Sequence, residues 1–161
     1  MGRLLGCQSW LVLVLRTILA PVLRRFRVKD RSMEPSLAPG TGIVCRTVVT
    51  RPVRGAIVVF PHPHRPDMWL VKRVVGLPHE EIVVDFGEVL IDGRPGVDLW
   101  SGGQTTFPEG KWKVGTDEVL VLSDNRVATM DDGRSFGPVP LSGMLRVIWP
   151  RMKPPSNKQS P

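Results

Sequence analysis

Two side chains of this 161-residue chain could together do covalent chemistry: Ser32, at the head of Ser32-Met33-Glu34-Pro35-Ser36-Leu37, and Lys72, 40 residues further on in Trp69-Leu70-Val71-Lys72-Arg73-Val74-Val75. A serine hydroxyl is a weak nucleophile until a base takes its proton, and a lysine amine is that base only when neutral. Strand alternation sets Leu70, Lys72 and Val74 on one face and Val71, Arg73 and Val75 on the other. Lys72 then has apolar neighbours along its strand, which disfavours the ammonium form and lowers its pKa. The opposing reading, an edge-strand lysine standing in water, stays open on the residues alone. A later cluster runs from Ser123-Asp124-Asn125-Arg126 to Asp131-Asp132-Gly133-Arg134-Ser135-Phe136. It reads as a turn-rich loop held by Asp and Asn side chains, with Asp132 and Arg134 able to pair. His62 and His64 have a metal-pair spacing but no third ligand nearby, so they read as solvated loop histidines and no metal site is expected.

The elements that must position these groups are short strands. Sixteen Gly, sixteen Pro and few long helical patterns point to a mostly β body with many turns. Strands are expected at 43–49, 56–60, 69–75, 119–122 and 145–149, with Pro61 to Pro66 as a loop. A hairpin is expected from 80–85 and 88–94, turning at Phe86-Gly87 and Asp92-Gly93. Residues 98–110 read as a polar surface loop and 151–161 as a disordered tail. The length supports one core and hence one catalytic-sized domain, residues 25–150.

Charge excludes one class of partner. The net charge is +7, but residues 1–31 carry +6 of it and the tail from Arg151 carries +3. The body between them is at −2, which leaves no basic excess for a phosphate backbone, so no nucleic acid is expected. Cys7 and Cys45 form no motif, and no disulfide framework is implied. Residues 4–23 are predominantly apolar and about the length that crosses a bilayer. An uncleaved membrane anchor over residues 1–24 is favoured over an interfacial helix. A cleavable signal sequence is disfavoured, because Val22-Leu23-Arg24-Arg25 lacks small residues before a cut. The basic residues following the segment would, on charge alone, keep the body on the cytoplasmic side.

Three motifs stand in one order: Ser32 to Leu37, Lys72-Arg73-Val74-Val75-Gly76-Leu77-Pro78, and Asp124-Asn125-Arg126 through Asp132-Gly133-Arg134-Ser135-Phe136-Gly137-Pro138-Val139. Together with the apolar leader they resemble the type I signal peptidases, Ser/Lys proteases of the membrane, and their mitochondrial inner-membrane relatives. The resemblance spans about residues 4–150. It implies a signal-peptidase-like β-rich catalytic body on one N-terminal transmembrane helix, placed across the membrane from the cytoplasm, contrary to the charge bias. The implied activity is removal of signal peptides from exported precursors through an acyl-enzyme, without a cofactor. By position, Ser32 matches the nucleophile and Lys72 the general base. Thr129 matches the hydroxyl that orients the lysine, with one extra residue before Arg134, and Asp132 with Arg134 match a bracing ion pair. Val28, Met33, Leu37 and Val71 match the lining of a pocket for small side chains, although ordinary core packing would also account for them. Membrane lipid and signal-peptide-bearing precursors are the implied partners.

The chain departs from the family two residues before the nucleophile, where Asp30 stands in place of a frequent serine. A carboxylate facing a developing oxyanion is repulsive, so the expectation is that the Ser32 backbone N–H serves with Asp30 turned away. Two narrower alternatives are a maturation protease for one exported or organellar precursor and a catalytically silent, membrane-tethered β module. A self-cleaving repressor would need a helix-turn-helix that residues 1–24 are too short and apolar to supply.

Overall fold

The computed structural model describes residues 23–47, 52–96 and 100–150, so the apolar leader up to residue 22 and the tail from residue 151 lie outside it. Eleven strands follow in chain order: β1 (Leu23–Arg27), β2 (Gly42–Thr47), β3 (Ile57–His62), β4 (Arg65–Gly76), β5 (Glu81–Asp85), β6 (Glu88–Ile91), β7 (Arg94–Pro95), β8 (Gly110–Lys113), β9 (Glu118–Leu122), β10 (Val139–Pro140) and β11 (Leu145–Trp149). One helical turn, α1 (Gly133–Phe136), lies between β9 and β10. The mostly β body expected from composition is what forms. Among the described residues no helix is long and apolar enough to cross a membrane. The anchor expected over residues 1–24 falls outside them except for Leu23 and Arg24, which belong to β1.

Seven strands make one sheet in the order β1-β2-β11-β3-β4-β9-β10, and four make a second in the order β7-β6-β5-β8. Every strand pair is antiparallel. The hairpin read from the sequence forms with the expected turns. Phe86 and Gly87, like Asp92 and Gly93, all take positive φ, the conformation that matches a two-residue turn to the strand twist.

The core has three parts. Val28, Met33, Leu37, Ile43, Cys45, Ile57, Val59 and Leu145 pack beneath the β1 end of the large sheet. Val58, Phe60, Leu70, Val74, Val119, Val121, Val139 and Met144 fill the middle. Val75, Leu120 and Leu122 meet Ile82, Val84 and Val89 of the small sheet and Val114 just beyond β8. At roughly 1.5–3 kcal/mol for each fully buried aliphatic side chain, these clusters dominate the stability of the body.

Pro61 to Pro66 is not an open loop: β3 runs to His62, β4 starts at Arg65, and only Pro63 and His64 make the turn. Nor is His62 solvated. Its ring is buried beside Phe136, 5.7 Å between centroids, and it contacts the Asp131 carboxylate. These partners come from a loop some 70 residues away in sequence, which local composition does not reveal.

Candidate active site

The turn that carries Ser32 follows directly from β1. It winds tightly, Leu37 N–H donating to the Met33 carbonyl at 2.8 Å, and drives Met33 and Leu37 into the core. Two distant elements hold it in place. The Asn125 backbone N–H donates to the Ser32 carbonyl at 2.9 Å, and Arg73 Nη2 donates to Ser36 Oγ at 2.9 Å. Ser32 therefore stands on a turn anchored by packing below and by hydrogen bonds from within β4 and from the segment after β9.

Lys72 lies on β4, which has β3 on one side and β9 on the other. That central position removes the edge-strand reading. Its face neighbours Leu70 and Val74 both belong to the middle core cluster, as alternation requires. The side chain is 1% exposed, and its Nζ donates to Ser32 Oγ at 3.0 Å, with Ser32 itself 2% exposed. Burial pushes the Lys72 amine below its ordinary value, against the raising influence of Asp132, Asp30 and Asp131, with Arg134 adding to the lowering. A neutral amine in hydrogen-bond contact with a serine hydroxyl can accept its proton.

The third motif braces this pair. Arg134 clasps Asp132 with two parallel hydrogen bonds, Nε to Oδ1 at 2.9 Å and Nη2 to Oδ2 at 2.8 Å, a geometry peculiar to guanidinium and carboxylate. Asp132 also accepts from the Ser123 and Arg134 backbone N–H groups and so caps α1. The remaining Arg134 donors reach the carbonyls of Phe107, Arg126 and Thr129. Burial alone would raise the Asp132 carboxyl, but these bonds and the Arg134 charge hold it below the usual carboxylate range.

Thr129 takes a different place from the one its position in the motif implies. Its hydroxyl accepts from the Asp131 N–H at 3.0 Å, and among the described residues the hydrogen bond of Lys72 Nζ goes to Ser32 Oγ. The Thr129 hydroxyl is thus held in a local turn with Asp131. His62 Nε2 and Arg65 Nη2 hold the Asp131 carboxylate at 2.9 and 2.7 Å.

The expectation that Asp30 turns away is overturned. Asp30 Oδ1 accepts the Ser32 backbone N–H at 2.9 Å. Burial works to raise this carboxyl, but the Ser32 hydrogen bonds and the Lys72 charge bring it below its ordinary value. A short side chain two residues upstream of an N–H makes such a turn readily, and this N–H belongs to the residue that carries the Ser32 hydroxyl.

Val28, Met33, Leu37 and Val71 are brought into one apolar cluster next to the Ser32 turn, Val71 at its partly exposed margin. A second buried pair was not singled out in the sequence. Arg73 Nε and Nη2 clasp Asp124 at 2.7 and 2.5 Å, Nη1 donates to the Gly55 carbonyl, and the guanidinium lies 4.7 Å from the Trp100 ring centroid. Gly55 is needed there, because a Cβ on it would fall 2.3 Å from the Trp100 ring, and its φ of +80° suits glycine. Alternation offered the signal: a charged residue between Lys72 and Val74 on a strand with buried faces requires a carboxylate partner. Ser123 Oγ and Asn125 Oδ1 are buried without a hydrogen-bond partner among the described residues, and no group of three metal-ligating side chains occurs among them either.

Comparison with known proteins places the chain in a family. The model of the family described as signal peptidase, peptidase S26, matches residues 4–148. A signal peptidase I of Leptolyngbya laminosa is 31% identical, the match covering 92% of this chain and 78% of the relative. A probable signal peptidase I-2 of a Synechocystis strain is also 31% identical, over 86% of this chain and 78% of the relative. The crystal structure of a signal peptidase I from Enterococcus faecalis superposes with a TM-score of 0.52 at 24% identity, covering 63% of this chain and 99% of that one, which shows a shared fold. With its three motifs folded into one buried site and its length matched from the leader to β11, the chain belongs to the signal peptidase family, peptidase S26.

Proposed function

We propose that this protein is a membrane-anchored serine endopeptidase that removes signal peptides from exported precursors, with Ser32 as nucleophile and Lys72 as general base. The observation that carries this reading is the buried 3.0 Å contact between Lys72 Nζ and Ser32 Oγ. In acylation, Ser32 Oγ attacks the scissile carbonyl carbon while its proton passes to the neutral Lys72 amine, and the carbonyl π pair moves onto oxygen. When the oxyanion collapses, the carbonyl re-forms, the C–N bond breaks, and the Lys72 ammonium returns the proton to the departing amine. A water then attacks the ester carbon, gives its proton to Lys72, and Ser32 Oγ leaves with that proton.

Asp132 and Arg134 keep the loop beside Lys72 in register. The apolar cluster of Val28, Met33, Leu37 and Val71 meets the substrate at its Val71 margin, where small side chains fit and bulky ones clash. The relatives are named as signal peptidases, which supports precursors as the substrate class. The apolar leader supports a membrane tether that brings the site to the bilayer where signal segments reside.

One observation favours the alternative of a catalytically silent module: the Asp30 carboxylate sits on the Ser32 N–H. The full chain in detergent, given a precursor with an A-x-A site, separates the two. Cleavage that Ser32→Ala and Lys72→Met each abolish supports the dyad. Cleavage that neither variant affects refutes it.

A further inference from the structure

Acyl transfer places a full negative charge on the former carbonyl oxygen, and proteases meet it with N–H donors, among them that of the nucleophilic residue itself. In this chain that donor is engaged: the Ser32 N–H points to Asp30 Oδ1 at 2.9 Å. A substrate oxyanion and the Asp30 carboxylate cannot share one N–H without two negative charges in contact, so one must leave. Asp30 can do so, because the residue is exposed and its hydrogen bonds among the described residues go to Ser32, with only the Lys72 charge drawing it further inward. Ser32 is not free to move, since its carbonyl is held by Asn125 and its turn by Arg73 and the buried Met33 and Leu37.

We propose that Asp30 is a gating residue on the oxyanion site: in the free enzyme its carboxylate occupies the Ser32 N–H, and reaction proceeds only after the bound substrate has displaced it into solvent. This rests on the assignment of Ser32 as nucleophile and deepens it. The Ser32 N–H gives up Asp30 when substrate binds and takes the oxyanion as acceptor when it forms; the hydrogen bond to Asp30 breaks, and no covalent bond is made or broken at Asp30. The displacement takes from each turnover part of the stabilisation the N–H would otherwise give, so the carboxylate slows the chemical step and leaves ground-state binding of the peptide largely alone.

The test compares the full chain in detergent with Asp30→Ala, Asp30→Ser and Asp30→Asn, with Ser32→Ala as control. A peptide bearing an A-x-A site gives kcat and KM, and a peptide aldehyde ending in Ala, whose hemiacetal with Ser32 carries the oxyanion, gives Ki. With the gate removed, Asp30→Ala and Asp30→Ser raise kcat about ten- to a hundredfold, the worth of one hydrogen bond to a charged group, while KM stays within about twofold. The comparison is made on the high-pH plateau, where Lys72 is neutral in every variant, so that the loss of the Asp30 charge beside Lys72 does not contribute. The aldehyde Ki falls by a similar factor. Asp30→Asn keeps an uncharged acceptor for the N–H and falls between; being nearly isosteric, it also decides the matter if the smaller residues disturb the turn.

If kcat is unchanged or lower in all three variants while Ser32→Ala abolishes cleavage, the gate is refuted and the dyad stands. If Ser32→Ala cleaves like the parent, the dyad fails and the gate with it. A parent that is inert but gains cleavage on Asp30→Ala supports the gate. If parent and Asp30 variants are all inert, the gate is overturned.

Discussion

Replacing Asp132 by Asn changes one atom and removes one charge at the most connected carboxylate of the site. Asp132 is 0% exposed, accepts both arms of the Arg134 guanidinium and takes two backbone N–H groups. The asparagine side chain keeps one oxygen, but its amide N–H groups then face a guanidinium that can only donate. Breaking one side of a buried ion pair costs about 3–5 kcal/mol, because the partner charge stays buried and unpaired. For a body of this size each kcal/mol moves the melting midpoint by about 4 °C, so the expected fall is roughly 10–20 °C. A second readout has a definite sign. Among the carboxylates that raise Lys72, Asp132 is the strongest, so neutralising it lowers the Lys72 pKa further. Catalysis needs the neutral amine, and the rate rises with pH as Lys72 loses its proton. The ascending limb of the pH–rate profile of Asp132→Asn therefore moves to lower pH. Thermal unfolding by circular dichroism and initial cleavage rates measured below the variant's melting range give both numbers. A midpoint within about 3 °C of the parent, or a limb displaced to higher pH, refutes the reasoning.

Asp131→Asn also moves the limb to lower pH, less than Asp132→Asn does, since Asp131 ranks behind Asp132 and Asp30 in its influence on Lys72. Its midpoint shifts little, because the Asp131 carboxylate and Arg65 are partly exposed and such pairs contribute about 1 kcal/mol or less. Lys72→Met abolishes cleavage yet melts at or above the parental temperature near neutral pH. The folded Lys72 pKa lies below its ordinary 10.5, so the unfolded chain binds more protons between those two values and the parent gains stability as pH rises through that window. The advantage of methionine closes as pH approaches 10.5, and differential scanning calorimetry over pH follows it. Val71→Phe adds bulk at the partly exposed margin of the apolar cluster. It raises KM for an A-x-A peptide about tenfold, a loss of about 1.4 kcal/mol in binding, with little change in melting temperature.

The sequence showed most where periodicity and turn chemistry act locally. The β5–β6 hairpin with its two-residue turns, the strand bearing Lys72 and its apolar face, and β9 and β11 could be read in place because alternation and glycine conformation are properties of neighbouring residues. The contacts that make the site are long-range. Nothing local says that Arg73 meets Asp124, that Asn125 holds the Ser32 carbonyl, or that His62 lies buried against Phe136 and Asp131. Asp30 is a different case. Its repulsion toward an oxyanion was foreseen, but the favourable bond it makes with the Ser32 N–H in the absence of substrate decides its orientation. The Thr129 hydroxyl is likewise held by a contact that its place in the motif does not reveal, the Asp131 N–H.

If Lys72 activates Ser32 for covalent attack, the acyl intermediate on Ser32 can be trapped. The full chain is mixed with a peptide ester ending in Ala, quenched in acid and mapped by mass spectrometry. An acyl adduct is expected on the peptide that contains Ser32, absent from both Ser32→Ala and Lys72→Met. An adduct on another residue, or one that forms equally well in Lys72→Met, would contradict activation of Ser32 by Lys72.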